Sequence, residues 1–211
     1  MTDTGVGKTV VSVLLTRQWL ANGTRVAAVK PFCSGGREDA EALWEAQGRR
    51  IGIDDINPWF FREALTPLLA ARREGRRLGL VEAVGFLRTA AAGREGLLVE
   101  GAGGLLSPLG EEFTGRELIA RTQAIPVVVC PDRLGAINQA RLVFAALGTS
   151  ARSRARLVLV SQSAPDSSTR SNATLLREIL GADRVFRVPW LTQSPLSVRI
   201  PQGIRQLLQA V

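Results

Sequence analysis

Apolar residues follow two alternating rhythms along this chain. Residues 25–31, 96–99, 125–130, 156–161 and 184–188 are short, largely apolar runs, the pattern of strands buried in a parallel sheet. Between them lie stretches with apolar positions at helical spacing, at 8–21, from Asp39 onward, and at 67–74, 80–92, 111–123, 136–147, 169–180 and 204–210. Asn22-Gly23 closes the first of these as a helix stop, Asp39 falls in or near the first turn of the second, and Phe86 and Leu87 fall on a core face. The segment 57–61 is expected to be irregular, and 30–36 to be a polar, glycine-containing loop at a strand end, where open α/β sheets carry ligands. Strands alternating with helices from end to end predict an α/β fold, a mostly parallel sheet with helices on both faces. No repeat, low-complexity tract or linker interrupts the pattern, so the 211 residues are expected to form one domain.

Composition narrows the chemistry. A hydrophobic content of 45% is ample for a packed core. No apolar run approaches the roughly 20 residues that span a bilayer, and the start lacks a signal peptide's order of basic, apolar and small residues. A cytoplasmic protein with no membrane partner is expected. The formal charge of +8 raises the question of nucleic acid. Its arginines are scattered, however, with short clusters at 72–77 and 152–156 and no interleaved aromatics for base stacking. A solvated surface that attracts anionic small molecules, with no nucleic-acid partner, is the expectation. Cys33 and Cys130 fit neither a disulfide framework nor a zinc site and are expected to be buried hydrophobes. His and Tyr are absent, which leaves chemistry to Lys, Asp, Glu, Ser, Thr, the backbone and metal. Of 27 basic side chains, only Lys8 and Lys30 are lysines. A chain that uses arginine for nearly all its positive charge keeps lysine where a compact ammonium is needed.

Lys8 lies in Gly5-Val6-Gly7-Lys8-Thr9-Val10, a glycine-broken turn entering the first helix. This is the layout of a phosphate-binding loop: backbone N–H groups curl around an anion and the helix start adds partial positive charge. Lys8 would reach the terminal phosphates and Thr9 would place its hydroxyl on Mg²⁺. The strict pattern wants glycine at Thr2, and a one-residue-longer variant wants it at Met1; an ordinary glycine-rich helix cap is the alternative. Glu100 ends the run 96–99 and opens a second glycine-rich turn, Gly101-Ala102-Gly103-Gly104. Burying that carboxylate requires a positive partner, either Mg²⁺ as in phosphate-loop enzymes or an arginine or helix dipole. A phosphate loop should also follow a strand, and the first strand is expected to be missing before Met1.

Taken in order, these motifs resemble the dethiobiotin synthetases, the ATP-dependent carboxylases that close the ureido ring in biotin synthesis. Residues 2–9, TDTGVGKT, are similar to that family's phosphate loop with its leading glycine replaced by Met1. Lys30-Pro31 with Ser34-Gly35 looks like its substrate loop, and Asp39-Ala40 resembles its metal-binding aspartate. Residues 99–104, VEGAGG, with Ser107-Pro108-Leu109, are similar to its second signature. Residues 134–138, LGAIN, match a further segment, and Asn57-Pro58 and Pro189-Trp190-Leu191 match shorter ones. The likeness runs from Met1 to about Leu191. Partitioning and septum-positioning ATPases, by contrast, carry a second lysine early in the loop, where this chain has Thr2, Asp3 and Thr4.

The resemblance implies a P-loop NTPase-type fold and a reaction in which an amine of 7,8-diaminononanoate captures CO₂ as a carbamate. ATP phosphorylates the carbamate, and the second amine attacks to close the ring. Lys8 would stabilise the transferring phosphoryl group, Lys30 would hold the carbamate, and Thr9, Asp39 and Glu100 would ligate Mg²⁺. ATP would also contact Gly5, Val6, Gly7, Val10, Gly101, Ala102, Gly103, Gln162, Ser163, Pro189, Trp190 and Leu191. Thr4, Ser34, Leu134, Gly135 and Asn138 would contact the diamine, the last three near the interface of a homodimer. Two departures stand out: Gln162 aligns where members commonly read adenine with Asn, and the loop from Ser34 to Asp39 is shorter than in many members. An amidoligase-like or cobyrinate-type relative, or a nucleotide-binding paralogue without catalysis, are the alternatives.

Overall fold

The computed structural model describes residues 3–211. Met1 and Thr2, and the strand expected ahead of the loop, lie outside the described residues. Helix α1 (Lys8–Ala21) begins directly behind Gly7, whose φ of 92° is left-handed. A side chain there would be strained and would meet Val160 at 3.3 Å, so only glycine lets the loop settle on that strand. The chain continues through β1 (Val26–Val29), β2 (Phe32–Ser34), α2 (Glu38–Ala46), α3 (Ile53–Ile56), β3 (Trp59–Phe61), α4 (Pro67–Arg73), α5 (Leu80–Ala91) and β4 (Gly96–Val99). It then forms β5 (Pro108–Gly110), β6 (Phe113–Thr114), α6 (Gly115–Thr122), β7 (Val127–Pro131), α7 (Ala136–Ala146), α8 (Thr149–Arg154), β8 (Arg156–Val160), α9 (Asn172–Leu180), β9 (Val185–Val188) and α10 (Gln202–Gln209).

The apolar runs pair in parallel, as the pattern predicts. β1 lies along β4 with Val29 opposite Val99, and β7, β8 and β9 form a second parallel ladder. Successive side chains leave a strand on opposite faces, and helices cover both. On β1, Ala28 packs with Val13 and Leu43, while Val29 packs with Val84 and Leu87. On the second ladder, Leu157 and Leu159 pack against Phe144 and Leu176, whereas Val158 and Val160 pack against Val11, Leu15, Ile204 and Leu207. α1 therefore seats one flank on each ladder. Among the described residues no ladder joins β4 to β7. All four residues of β4 remain partly exposed, against the expectation of full burial.

Other expectations change in detail. Segments 30–36 and 57–61 are not wholly irregular: β2 and β3 form a three-residue parallel ladder. Phe32 stacks on Trp59 with centroids 5.0 Å apart, and three residues are too few for periodicity to show. The helix expected over 111–123 starts only at Gly115, because Pro108–Thr114 folds as an antiparallel hairpin. Thr114 marks that start with a capping box: its hydroxyl accepts from Arg116 N–H, and Glu117 accepts from Thr114 N–H at 2.9 Å. Thr114→Ala should lower stability by about 1 kcal/mol, read as a lower urea midpoint at constant slope; an unchanged midpoint would show that the cap is idle.

Candidate active site

One strand register and two helix starts bring the site together. Lys30 and Glu100 are the residues immediately after β1 and β4, so the register of those strands places them side by side. Asp39 comes in from the first turn of α2 and Thr9 from the first turn of α1. Lys30 Nζ donates to Asp39 Oδ2 at 2.6 Å and to Glu100 Oε1 at 2.8 Å. Thr9 Oγ1 lies 2.6 Å from Asp39 Oδ1 and 2.8 Å from Glu100 Oε1. Lys8 curls back over its own loop, its Nζ donating to the Asp3 carbonyl at 2.5 Å. Both lysines line one open cleft of about 920 Å³, together with Thr9, Ser34 and Asp39.

Charge in this cluster is held by mutual compensation. Glu100 is 3% exposed and Lys30 5%, and either alone would be costly to bury. Burial pulls the Lys30 ammonium down, but Glu100 and Asp39 outweigh it and leave its pKa raised. Burial would lift the Asp39 carboxyl, yet Lys30, helped by Thr9, holds it below the ordinary range. Lys8 is lowered, first by burial and then by repulsion from Lys30. The sequence left Glu100 with Mg²⁺ or an arginine or helix dipole; the group facing it here is Lys30.

The donor set suits a hard cation. Thr9 has one hydroxyl hydrogen for two carboxylate neighbours, and Glu100 Oε2 is buried with no hydrogen-bond partner. Ser34 Oγ, facing the same cleft, is likewise buried and unpartnered. Thr9, Asp39 and Glu100 thus offer oxygen only, with capacity to spare, as Mg²⁺ requires.

Residues that sequence reasoning did not assign a role hold this arrangement. Asn57 is fully buried; its Nδ2 donates to the carbonyls of Lys30 and Pro31 at 2.9 and 3.1 Å, and its Oδ1 accepts from Arg37 Nε at 2.9 Å. Gln47 pairs its amide with both N–H and C=O of Ala28, in the manner of a neighbouring strand. Gly35 has φ +80°, and a Cβ there would sit 2.5 Å from that of Ala64. The Asn57-Pro58 match was the available signal for Asn57; nothing in spacing marked Gln47.

The other expected site residues divide by location. Thr4, Gly5, Gly7, Val10, Ala102 and Gly103 line the cleft with the lysines. Val6 turns inward to pack with Val160, and Leu191 joins that cluster at its edge. Gly101 faces a mostly apolar cavity of about 110 Å³ that Val99 and Val128 also line. Gln162, Ser163, Pro189 and Trp190 follow the ends of β8 and β9, outside the cleft lining; Gln162 Nε2 donates to Val160 O at 2.9 Å. Leu134, Gly135 and Asn138 do not reach this cleft. Their turn is tied instead to the segment that leads into α9, where Leu134 N–H donates to Asp166 and Asn172 Nδ2 to the buried Asp132. Asn138 instead borders a groove with Arg141, Arg152 and Arg184.

Fold and site together define a P-loop type nucleotide-binding protein. The family model described as an AAA domain matches residues 1–195, and the chain belongs to that family. The signal recognition particle receptor FtsY from Elizabethkingia anophelis superposes with a TM-score of 0.50 at 16% identity, over 98% of this chain and 62% of that one, a likeness of fold alone. Among curated proteins, ATP-dependent dethiobiotin synthetase BioD of Anaeromyxobacter dehalogenans is 36% identical over 195 residues, 90% of this chain and 87% of that protein. The corresponding synthetase of Escherichia coli is 32% identical over 202 residues, 92% and 90% of the two chains. The chain belongs to the ATP-dependent dethiobiotin synthetase family. No helix among the described residues is long and apolar enough to cross a membrane.

Asn57→Ala would strip the carbonyls of Lys30 and Pro31 of their buried donor and is expected to cost about 1–3 kcal/mol. Denaturant unfolding measures this, and a loss within experimental error would remove Asn57 from the support of the site.

Proposed function

We propose that this protein carboxylates 7,8-diaminononanoate and closes the ureido ring to dethiobiotin at the expense of ATP. The observation that carries the reading is the meeting of two ammonium groups, the Asp39 carboxylate and a helix-start hydroxyl at one cleft, with the buried Glu100 carboxylate bonded to Lys30 and Thr9 behind it. Phosphoryl transfer depends on positioning and charge neutralisation more than on a dedicated base, and those are what this set of residues offers.

The roles follow from position. Backbone N–H groups of Gly5 to Thr9 cradle the phosphates at the start of α1. Lys8, already bent over the loop, neutralises the transferring phosphoryl group. Lys30 holds the carbamate and the oxygens to which phosphate is transferred, and Ser34 donates to the substrate from the same wall. Thr9, Asp39 and Glu100 would hold Mg²⁺, which when bound offsets charge on the phosphate oxygens. The second amine then attacks the activated carbonyl carbon, and phosphate leaves. The base lies towards Gln162, Ser163, Pro189, Trp190 and Leu191, beyond the ends of β8 and β9. Gln offers the same amide groups as Asn on a longer arm. Leu134, which is 76% exposed, with Gly135 and Asn138, serves the diamine site from a partner subunit in a homodimer. We assign the chain as a single-domain cytoplasmic enzyme.

Incubation with 7,8-diaminononanoate, bicarbonate and Mg-ATP should yield dethiobiotin, detected by mass spectrometry, with one ADP per ring closed. ATP turnover without dethiobiotin would redirect the search to another carboxyl substrate, and nucleotide binding without turnover would end the enzymatic reading. Lys8→Ala and Lys30→Ala should each reduce turnover by about 10²–10³-fold, the scale of one lost transition-state donor, with the circular dichroism spectrum retained. Normal turnover in either would cancel its role. Glu100→Gln should raise the Mg²⁺ concentration needed for half-maximal rate; an unchanged metal titration would take Glu100 out of the ligand set.

A further inference from the structure

The proposed reaction needs the Lys30 ammonium at the acceptor, yet here it is engaged elsewhere. Nζ sits 2.6 Å from Asp39 Oδ2 and 2.8 Å from Glu100 Oε1, the two carboxylates that fit Mg²⁺. Thr9 Oγ1, the third oxygen of that set, touches the same pair. A magnesium ion demands oxygens at about 2.0–2.1 Å in near-octahedral order, while the ammonium already holds one oxygen of each carboxylate. Two cations crowded onto the buried Glu100 and the half-exposed Asp39 repel each other, so the lysine and the metal compete.

Resting on the reading that Thr9, Asp39 and Glu100 form the metal site, we infer that the Lys30 ammonium is a placeholder for the divalent cation. Loading the metal expels Nζ from the carboxylates into the cleft, so the acceptor-side lysine becomes available only once the metal is seated. The backbone is built for a swing confined to the side chain. Lys30 N–H donates to Ile56 O at 3.1 Å and Asn57 holds the Lys30 carbonyl at 2.9 Å, so the main chain stays while the four-carbon stem moves. The cleft that receives the ammonium also presents Ser34 Oγ, buried and without a partner. Lys8 is not drawn into the exchange, because its Nζ is bonded to the Asp3 carbonyl. The arrangement partly compensates the two carboxylates and ties acceptor binding to metal loading.

A chain with only two lysines makes the test direct. Protein labelled with ¹³C at lysine Cε gives two side-chain signals, assigned by Lys30→Met. Titration with Mg²⁺ alone, without nucleotide, should move the Lys30 signal saturably and leave the Lys8 signal nearly in place. An unmoved Lys30 signal at saturating Mg²⁺ would overturn the exchange. Independently, Mn²⁺ binding followed by electron paramagnetic resonance should be about tenfold tighter or more in Lys30→Met, because the competing state that lowers apparent affinity is gone. Equal or weaker binding in a folded variant would also overturn it. Wild-type dethiobiotin production with an unmoved Lys30 signal would sink the exchange and leave the reaction standing. A saturable Lys30 shift in a protein that makes no dethiobiotin would do the reverse.

Discussion

The structure depends on burying opposite charges where two parallel strands end together. β1 and β4 run in register, so the next residue on each, Lys30 and Glu100, is carried into the same enclosed space. Removing one partner of such a pair leaves an uncompensated charge, at a cost of about 3–5 kcal/mol. The pair is therefore a commitment of the fold as well as a feature of the site. Asp39 adds a second carboxylate to the same ammonium, so the cluster is electron-rich and ready for more positive charge than the chain itself provides.

That readiness shows in how the atoms of the site are paired. Each lysine already has a partner, Lys8 a loop carbonyl and Lys30 the two carboxylates, whereas the unpartnered atoms are acceptors or hydroxyls facing inward, Glu100 Oε2 and Ser34 Oγ. Cations are parked and oxygens are in excess. In the proposed reaction a metal–triphosphate would supply the counterparts: positive charge for the carboxylates and anionic oxygens for the ammonium groups.

The supports show how the rest of the chain serves this point. α1 packs one flank on β1 and the other on β8 and β9, so the phosphate loop is fixed relative to both ladders at once. Gly7 is left-handed, and a Cβ there would crowd Val160 at 3.3 Å. Asn57 clamps the backbone at Lys30 from behind, and Gln47 occupies the edge of β1 as a strand would. Polar side chains thus replace backbone ladder bonds where β1, among the described residues, pairs with β4 alone.

Much of this was legible in residue order. The alternation of short apolar runs with helical periodicity determined the parallel α/β fold, since burial on both faces admits little else, and the scarcity of lysine singled out Lys8 and Lys30 before any geometry. The helix start at Gly115 was also written, in Thr114 and Glu117, but a neighbouring run of similar composition masked it. Other features belonged to tertiary structure because they join residues far apart in sequence. Periodicity cannot show that Lys30 faces Glu100 rather than solvent, because strand register, not spacing, brings residues 70 apart together. Nor can it show that Leu134, Gly135 and Asn138 stay out of the cleft lining. Local sequence fixes which face of an element is apolar; only the packing of those faces against one another decides which polar ends meet.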